Sequence, residues 1–444
     1  MRALLVTALG LTCGAALALP PTVTAAATGP APRTRATTVQ DSAQDTAQDT
    51  APTAAVPGST QSLPLRPLSA DRSADPRDQD LGLPARDVRR FALLGVAWDD
   101  PEAEPPGRVR VRTRSAASGR WSPWRELHRP DGHGPVAAER PTARPRRGST
   151  APLWVGPSDG VQVRVEPAAA TGGRRAGAVA LPAGLTLELV DPGETRSTRP
   201  GATTPAPADR ALPSPDATRP TPPTRERAAA TPSGGADAAT PRADGPAAPP
   251  PLVLRAGWGA DESLREPDPL YTGAVRAVFV HHTAGTNDYT CEEAPSIIRA
   301  VYRYHVLTNG WRDIGYNFLV DRCGTVYEGR AGGVAEPVRG AHTLGFNSHT
   351  TGVAVLGSYD TTAPPQAVLD AVAQLAAWKL DLSGVDAAGT TTLTSDGGRY
   401  PKGQDVTFHA VSGHRDGYDT DCPGDLLYAA LDGIRRDAAA LQGH

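Results

Sequence analysis

His414 and Cys422 stand eight positions apart in HRDGYDTDCPG, a loop of Asp, Gly and Pro rather than an apolar face. A structural thiol packs like a small hydrophobe, so a cysteine kept in such a loop points to another use. The chain has ten histidines, and seven lie between 281 and 414: His281, His282, His305, His342, His349, His409 and His414. Histidine is the commonest metal ligand, and a metal deprotonates a coordinating thiol outright. Two histidines, one cysteine and one open position make a catalytic zinc set, in which a water at the open position has its pKa lowered toward ~7. His414 and Cys422 are then two ligands, with Gly417 and Pro423 turning the loop. The third comes from the end of the strand VFVHH. The alternative is that Cys422 pairs with Cys291 or Cys323 and the histidines are scattered over the surface.

Cysteine parity sharpens the choice. Arg2 precedes an apolar run that is too short for a stable membrane span and is followed by small residues, the pattern of a signal peptide over 1–27. Cys13 leaves with it, and three cysteines remain in an oxidising compartment, so one thiol has no disulfide partner. The mature protein is expected to be secreted and extracellular. No later stretch reaches the roughly 18 apolar residues that a membrane span requires. The net charge of −3 provides no strong field toward nucleic acid or anionic lipid. Lys379 and Lys402 are the two lysines among 45 basic residues, an arginine bias that reads as genome composition rather than a phosphate-binding patch.

The elements that must position these residues follow from the texture of the chain. Residues 28–82, with AQDTAQDTA, hold little to bury and read as disordered. Over 83–195, RVRVRT and VQVRV alternate strictly beside FALLGVAW, PLWVG and LTLELV, which predicts a small all-β, sandwich-like domain. Trp98, Trp121, Trp124 and Trp154 offer either core packing or a sugar-stacking face, and packing is the favoured reading. Residues 196–250 form a Pro/Ala/Thr-rich linker. From 251 to 444 the pattern is α/β. Strands are predicted at 275–283, 316–321, 325–329, 351–359 and 406–413, with helices at 295–306, 364–380 and 423–441. A mixed sheet flanked by helices is the architecture these imply.

Residues 252–441 resemble the peptidoglycan-recognition protein and type 2 N-acetylmuramoyl-L-alanine amidase family. The resemblance rests on RAGWGADE (255–262), VHHTAG (280–285), GWRDIGYNFLVD (310–321), GTVYEGR (324–330), GAHTLGFNSHTTGVAVLGSY (340–359) and GHRDGYDTDCPG (413–424), in that order. The preceding domain and Pro-rich linker are similar to actinobacterial secreted members.

The resemblance implies a Zn2+ held by His281, His414 and Cys422, with Tyr316 activating water and polarising the scissile carbonyl. It implies a second catalytic position at Thr420, where phage-type members carry lysine and animal recognition proteins do not. Arg330, His342 and Asn347 are implied as substrate contacts, and Cys291–Cys323 as a disulfide that stabilises by about 3–4 kcal/mol. Ala331, Gly332 and Gly333 follow YEGR, where animal members read the stem peptide with side chains. His282 is expected on the opposite face of its strand from His281. His305 is expected to be structural, and His409 is the rival ligand. The implied activity is hydrolysis of the amide between N-acetylmuramic acid and L-alanine by a monomer whose partner is the peptidoglycan of the bacterial wall. The rival reading is a catalytically weak or inactive peptidoglycan-binding recognition protein.

Overall fold

The computed structural model describes residues 57–68, 80–103, 107–128, 132–135, 143–167, 181–194 and 247–444. The signal sequence expected at 1–27, most of 28–82 and nearly all of the linker 196–250 lie outside the described residues.

A six-stranded sheet organises the C-terminal domain. Its order is Val411–Gly413, Ala277–His282, Thr350–Val355, Phe318–Val320, Val326–Glu328 and Leu252–Val253. The first four strands run parallel, Val326–Glu328 turns back on Phe318–Val320, and Leu252–Val253 runs parallel to it. Ala277–His282 and Thr350–Val355 are buried at every position, as parallel strands covered on both faces must be. Alternation sends Val278 and Val280 into a core shared with Val372 and Leu375 of the helix Gln366–Asp381 and Ile434 of the helix Leu431–Leu441. It sends Phe279 and His281 to the other face, where Phe279 packs with Phe346 and Phe408. On that face the helix Ala294–Arg303 lays Ile298 and Val301 against Leu319 and Ala354.

Two elements differ from the expectation. The strand predicted over 406–413 is two strands: Asp405–His409 pairs with Thr390–Thr394 in a separate hairpin, and Val411–Gly413 enters the main sheet. The exposure pattern explains the split, because Asp405–His409 keeps one solvent face and Val411–Gly413 has none. The closing helix is interrupted at Ala430, giving Asp425–Ala429 and Leu431–Leu441. Cys291 and Cys323 form the implied disulfide, with Cα atoms 6.3 Å apart.

The N-terminal domain is antiparallel throughout. Its main path is Ser59–Pro64, Thr186–Asp191, Leu81–Trp98, Leu153–Pro167, Gly107–Ser115 and Arg125–Glu126. Leu81–Trp98 and Leu153–Pro167 shift register between Leu83 and Leu93, and such bulges bend strands. Residues from both ends of these strands therefore share one core, with Leu83, Val163 and Val165 beside Leu94, Val96 and Leu189. The disordered reading of 28–82 needs correction at Ser59–Pro64, which pairs with Thr186–Asp191 along its whole length. Its one large apolar residue besides proline is Leu63, so backbone hydrogen bonding rather than a hydrophobic pattern builds this strand. Trp98 and Trp154 are buried, whereas Trp121 and Trp124 flank the Arg112 guanidinium at 5.3 and 5.2 Å.

The two domains share apolar packing. Leu93, Trp154 and Val190 belong to the same cluster as Ile297, Val301 and Tyr304. The Tyr304 hydroxyl donates to the Thr150 carbonyl at 3.2 Å, and Gly95 has no room for a Cβ beneath that ring. Among the described residues, no helix is long and apolar enough to cross a membrane.

Arg255 anchors the segment that leads into Tyr316. Its buried guanidinium pairs with Asp313 at 3.3 Å and Glu262 at 2.8 Å and donates to the Gly329 carbonyl. Asp313 in turn accepts from the amides of Ile314 at 2.7 Å and Ala331 at 2.9 Å. Removing one member of a buried pair leaves the other uncompensated, at a cost of about 3–5 kcal/mol. Asp313→Ala is therefore expected to lower the urea midpoint clearly, and an unchanged midpoint would show that the pair contributes nothing.

Candidate metal centre

His281 lies near the carboxyl end of the central strand. His414 opens the short helix His414–Gly417 directly after Val411–Gly413, the parallel neighbour of that strand. Parallel pairing thus brings two histidines 133 positions apart in sequence to one end of the sheet, where open α/β sheets place their ligands. The loop that follows returns Cys422 to the same point. Arg415 N–H donates to the Cys422 carbonyl at 3.0 Å, and Cys422 N–H donates to the Thr420 hydroxyl at 3.1 Å. Thr420 thus shapes the loop that presents the thiol. The His282 N–H approaches Cys422 Sγ at 3.3 Å and helps to hold the sulphur in place.

The hydrogen-bond chain behind His281 fixes which of its nitrogens faces the centre. The Thr350 hydroxyl gives its hydrogen to the Phe346 carbonyl at 2.6 Å. It can only accept from His342 Nε2, 3.3 Å away. Burial first, then the charge of neighbouring groups, holds His281, His342 and His414 well below the usual histidine range. A neutral His342 with its hydrogen on Nε2 accepts at Nδ1, from His281 Nε2 at 3.2 Å. The lone pair of His281 therefore sits on Nδ1, 3.8 Å from Cys422 Sγ. Both ring nitrogens of His414 are buried with no hydrogen-bond partner among the described residues.

A fourth group completes the cluster, and it comes from the other domain. His133 Nε2 lies 3.2 Å from His281 Nδ1, and one ligand atom from each of His133, His281, His414 and Cys422 falls within 4.8 Å of all the others. Tetrahedral zinc with ordinary bond lengths separates two nitrogens by about 3.3 Å and a nitrogen from a sulphur by about 3.6 Å. The observed 3.2 and 3.8 Å match, and a metal would give one of the two unpartnered nitrogens of His414 its partner. The residues fit a zinc ion.

The other candidates lie around this cluster. The Tyr316 hydroxyl is 3.4 Å from His133 Nε2, with its ring 5.6 Å from that of His281. His342 is fully buried behind His281 rather than lining an open groove. Asn347 Oδ1 accepts from the amides of His342 and Thr343, which aims its Nδ2 at the Gly134 carbonyl 2.8 Å away. Arg330 is buried and donates to the carbonyls of Ile314 and Arg339. His282 accepts from the Tyr359 amide, His305 accepts from the Gly315 amide, and His409 is exposed on the hairpin; none joins the cluster. Sequence reading missed His133. Its cue is slight: a histidine between two glycines in DGHGP, in the other domain and 148 positions before His281.

The His342 ring occupies a slot between Gly340 and Gly352, where a Cβ on either residue would collide with it. Partners of a ligating histidine typically contribute 10–100-fold to metal affinity. Gly352→Ala is expected to displace His342 and weaken zinc binding by about that factor, measured against a competing chelator. Equal affinity would show that the His342 relay does not hold His281.

The N-acetylmuramoyl-L-alanine amidase family matches residues 271–425, and the Rv3811 N-terminal galactose-binding domain-like family matches residues 30–206. Peptidoglycan-recognition protein SC2 of Drosophila simulans is 34% identical over 177 residues, covering 40% of this chain and 82% of that protein. The N-acetylmuramoyl-L-alanine amidase of Homo sapiens is 35% identical over 186 residues, 41% of this chain. The chain spans only 28% of that relative's length. The solved wild-type PGRP-LB of Drosophila matches with 28% identity over 40% of this chain and 91% of its own, at a TM-score of 0.33. With its ordered motifs, its mixed sheet and a recognition protein matched over most of its length, this chain belongs to the peptidoglycan-recognition protein and N-acetylmuramoyl-L-alanine amidase family.

Proposed function

We propose that the protein is a secreted, zinc-dependent N-acetylmuramoyl-L-alanine amidase that hydrolyses the amide between the lactyl group of N-acetylmuramic acid and L-alanine in peptidoglycan. The observation that carries this reading is the convergence of His281, His414 and Cys422 on one point, with the lone pair of His281 turned inward by His342. A family member acting only as a binder has no need to keep these ligands together.

When bound, zinc supplies Lewis-acid polarisation of the carbonyl and lowers the pKa of a nucleophilic water. The chain's own residues do the rest. Cys422, steadied by the His282 amide, contributes negative charge to the ligand set. Tyr316 stands at its edge with a hydroxyl that can donate to the oxygen on which negative charge develops. The amide nitrogen of Asn347, aimed by its two backbone contacts at the Gly134 carbonyl, can hold a carbonyl of the substrate in that carbonyl's place. Water adds at the carbonyl carbon and the C–N bond breaks, leaving a carboxylate on the muramic acid and a free amino group on L-alanine.

The test is digestion of isolated peptidoglycan by the full mature chain, read by mass spectrometry. Stem peptides beginning at L-alanine, lost on chelation and restored by zinc, are the expected products. Intact muropeptides with zinc bound would favour the recognition-protein reading. Tyr316→Phe is expected to retain zinc and lose about 10²–10³-fold in kcat, as when one oxyanion donor is removed. An unchanged kcat would remove Tyr316 from the chemistry. Cys422→Ser should lose zinc and activity together, and full activity in that variant would refute the ligand set.

A further inference from the structure

Catalytic zinc sites keep an open position, whereas four protein ligands close one. We propose that His133 is a fourth zinc ligand, carried by Gly132–Pro135, and that this segment holds the amidase latent until it is displaced. The proposal rests on the zinc reading above and concerns how that site is regulated.

Three observations carry it. First, His133 Nε2 lies 3.2 Å from His281 Nδ1, at the spacing of two ligands on one ion. A simple hydrogen bond between the two rings would satisfy that pair, but among the described residues it would leave His414 without a partner at either buried nitrogen, one of which a shared ion would take. Second, Gly132–Pro135 takes up the Asn347 amide, the donor assigned above to the substrate, together with a neighbouring backbone N–H. The Gly132 carbonyl accepts from Leu344 N–H at 2.9 Å, and the Gly134 carbonyl accepts from Asn347 Nδ2 at 2.8 Å. The segment presents backbone carbonyls on both sides of the side chain aimed at the metal, as a peptide ligand would. The cavity left beside His133 and Tyr316 is about 40 Å³, while pockets for small ligands span about 300–1,000 Å³. That cavity is too small to enclose a muramyl peptide, so cleavage by the wild type is confined to the fraction of molecules in which the segment is displaced. Third, the approach is built for glycine. Gly132 has φ +65°, and a Cβ there would fall inside the Tyr418 ring. Both the left-handed backbone and the contact exclude other side chains.

The test compares wild type, His133→Ala and Gly132→Val. The last leaves every ligand intact and cannot dock. Each full chain is loaded with one Co2+, and its visible spectrum is recorded before and after azide, a small anion that takes an open position. The wild-type spectrum is expected to ignore azide, and both variants to respond. Both should also cleave the muramyl–L-alanine amide at least about tenfold faster than wild type. A wild-type spectrum that shifts as readily as the variants' would overturn the proposal, whatever the amidase rates. Variants that respond to azide without any gain in cleavage would overturn the latency. If no chain binds Co2+, the zinc reading itself fails, an outcome distinct from an open wild-type site. Should His133→Ala fail to fold, Gly132→Val carries the same comparison.

Discussion

A hydroxyl has one hydrogen to donate, and in this protein the hydrogen of Thr350 is committed to a backbone carbonyl. That commitment runs forward through two imidazoles. It makes His342 a donor toward Thr350 and an acceptor toward His281, and it leaves the lone pair of His281 facing Cys422. Burial, with the charge of neighbouring groups, holds both rings well below the usual histidine range, which favours the neutral forms that this arrangement uses. The sheet supplies the rest of the geometry. Parallel pairing of the strands ending at His282 and Gly413 brings His281 and His414 together, and the HRDG turn with Thr420 returns the sulphur to them. The slot between Gly340 and Gly352 lets the relay exist at all.

Much of this was legible in the sequence because it is local or periodic. The VFVHH run reads as a buried strand, the cysteine count marks one thiol as exceptional, and alternation separates His281 from His282. Ordered motifs singled out His281, His414 and Cys422, the three side chains that the fold brings together, where spacing alone left the choice open. Features set by tertiary partners were not legible. Ser59–Pro64 is a strand because Thr186–Asp191 offers it an edge, and its composition carries no such signal. The break at Ala410 reflects a change of neighbours, from a two-stranded hairpin to the main sheet, with no turn residue to announce it. His342 and Asn347 were read as groove contacts from their motif. Burial places His342 behind His281, and Asn347 contacts a segment of the other domain.

His133 shows the same limit at its sharpest. Nothing in DGHGP relates it to a strand 148 positions later, since only the docking of two domains makes them neighbours. The segment that brings it there is held by backbone carbonyls and by the absence of a side chain at Gly132, both silent in composition.

The apolar packing shared by the two domains has a thermodynamic corollary. Leu93, Trp154 and Val190 are buried against Ile297, Val301 and Tyr304, so neither domain completes its core alone. The interface behaves as interior rather than as a contact between independent bodies, and unfolding either side would expose the other. Such coupling makes the pair one cooperative unit, and a C-terminal half excised from it would carry a sticky face in place of a finished surface.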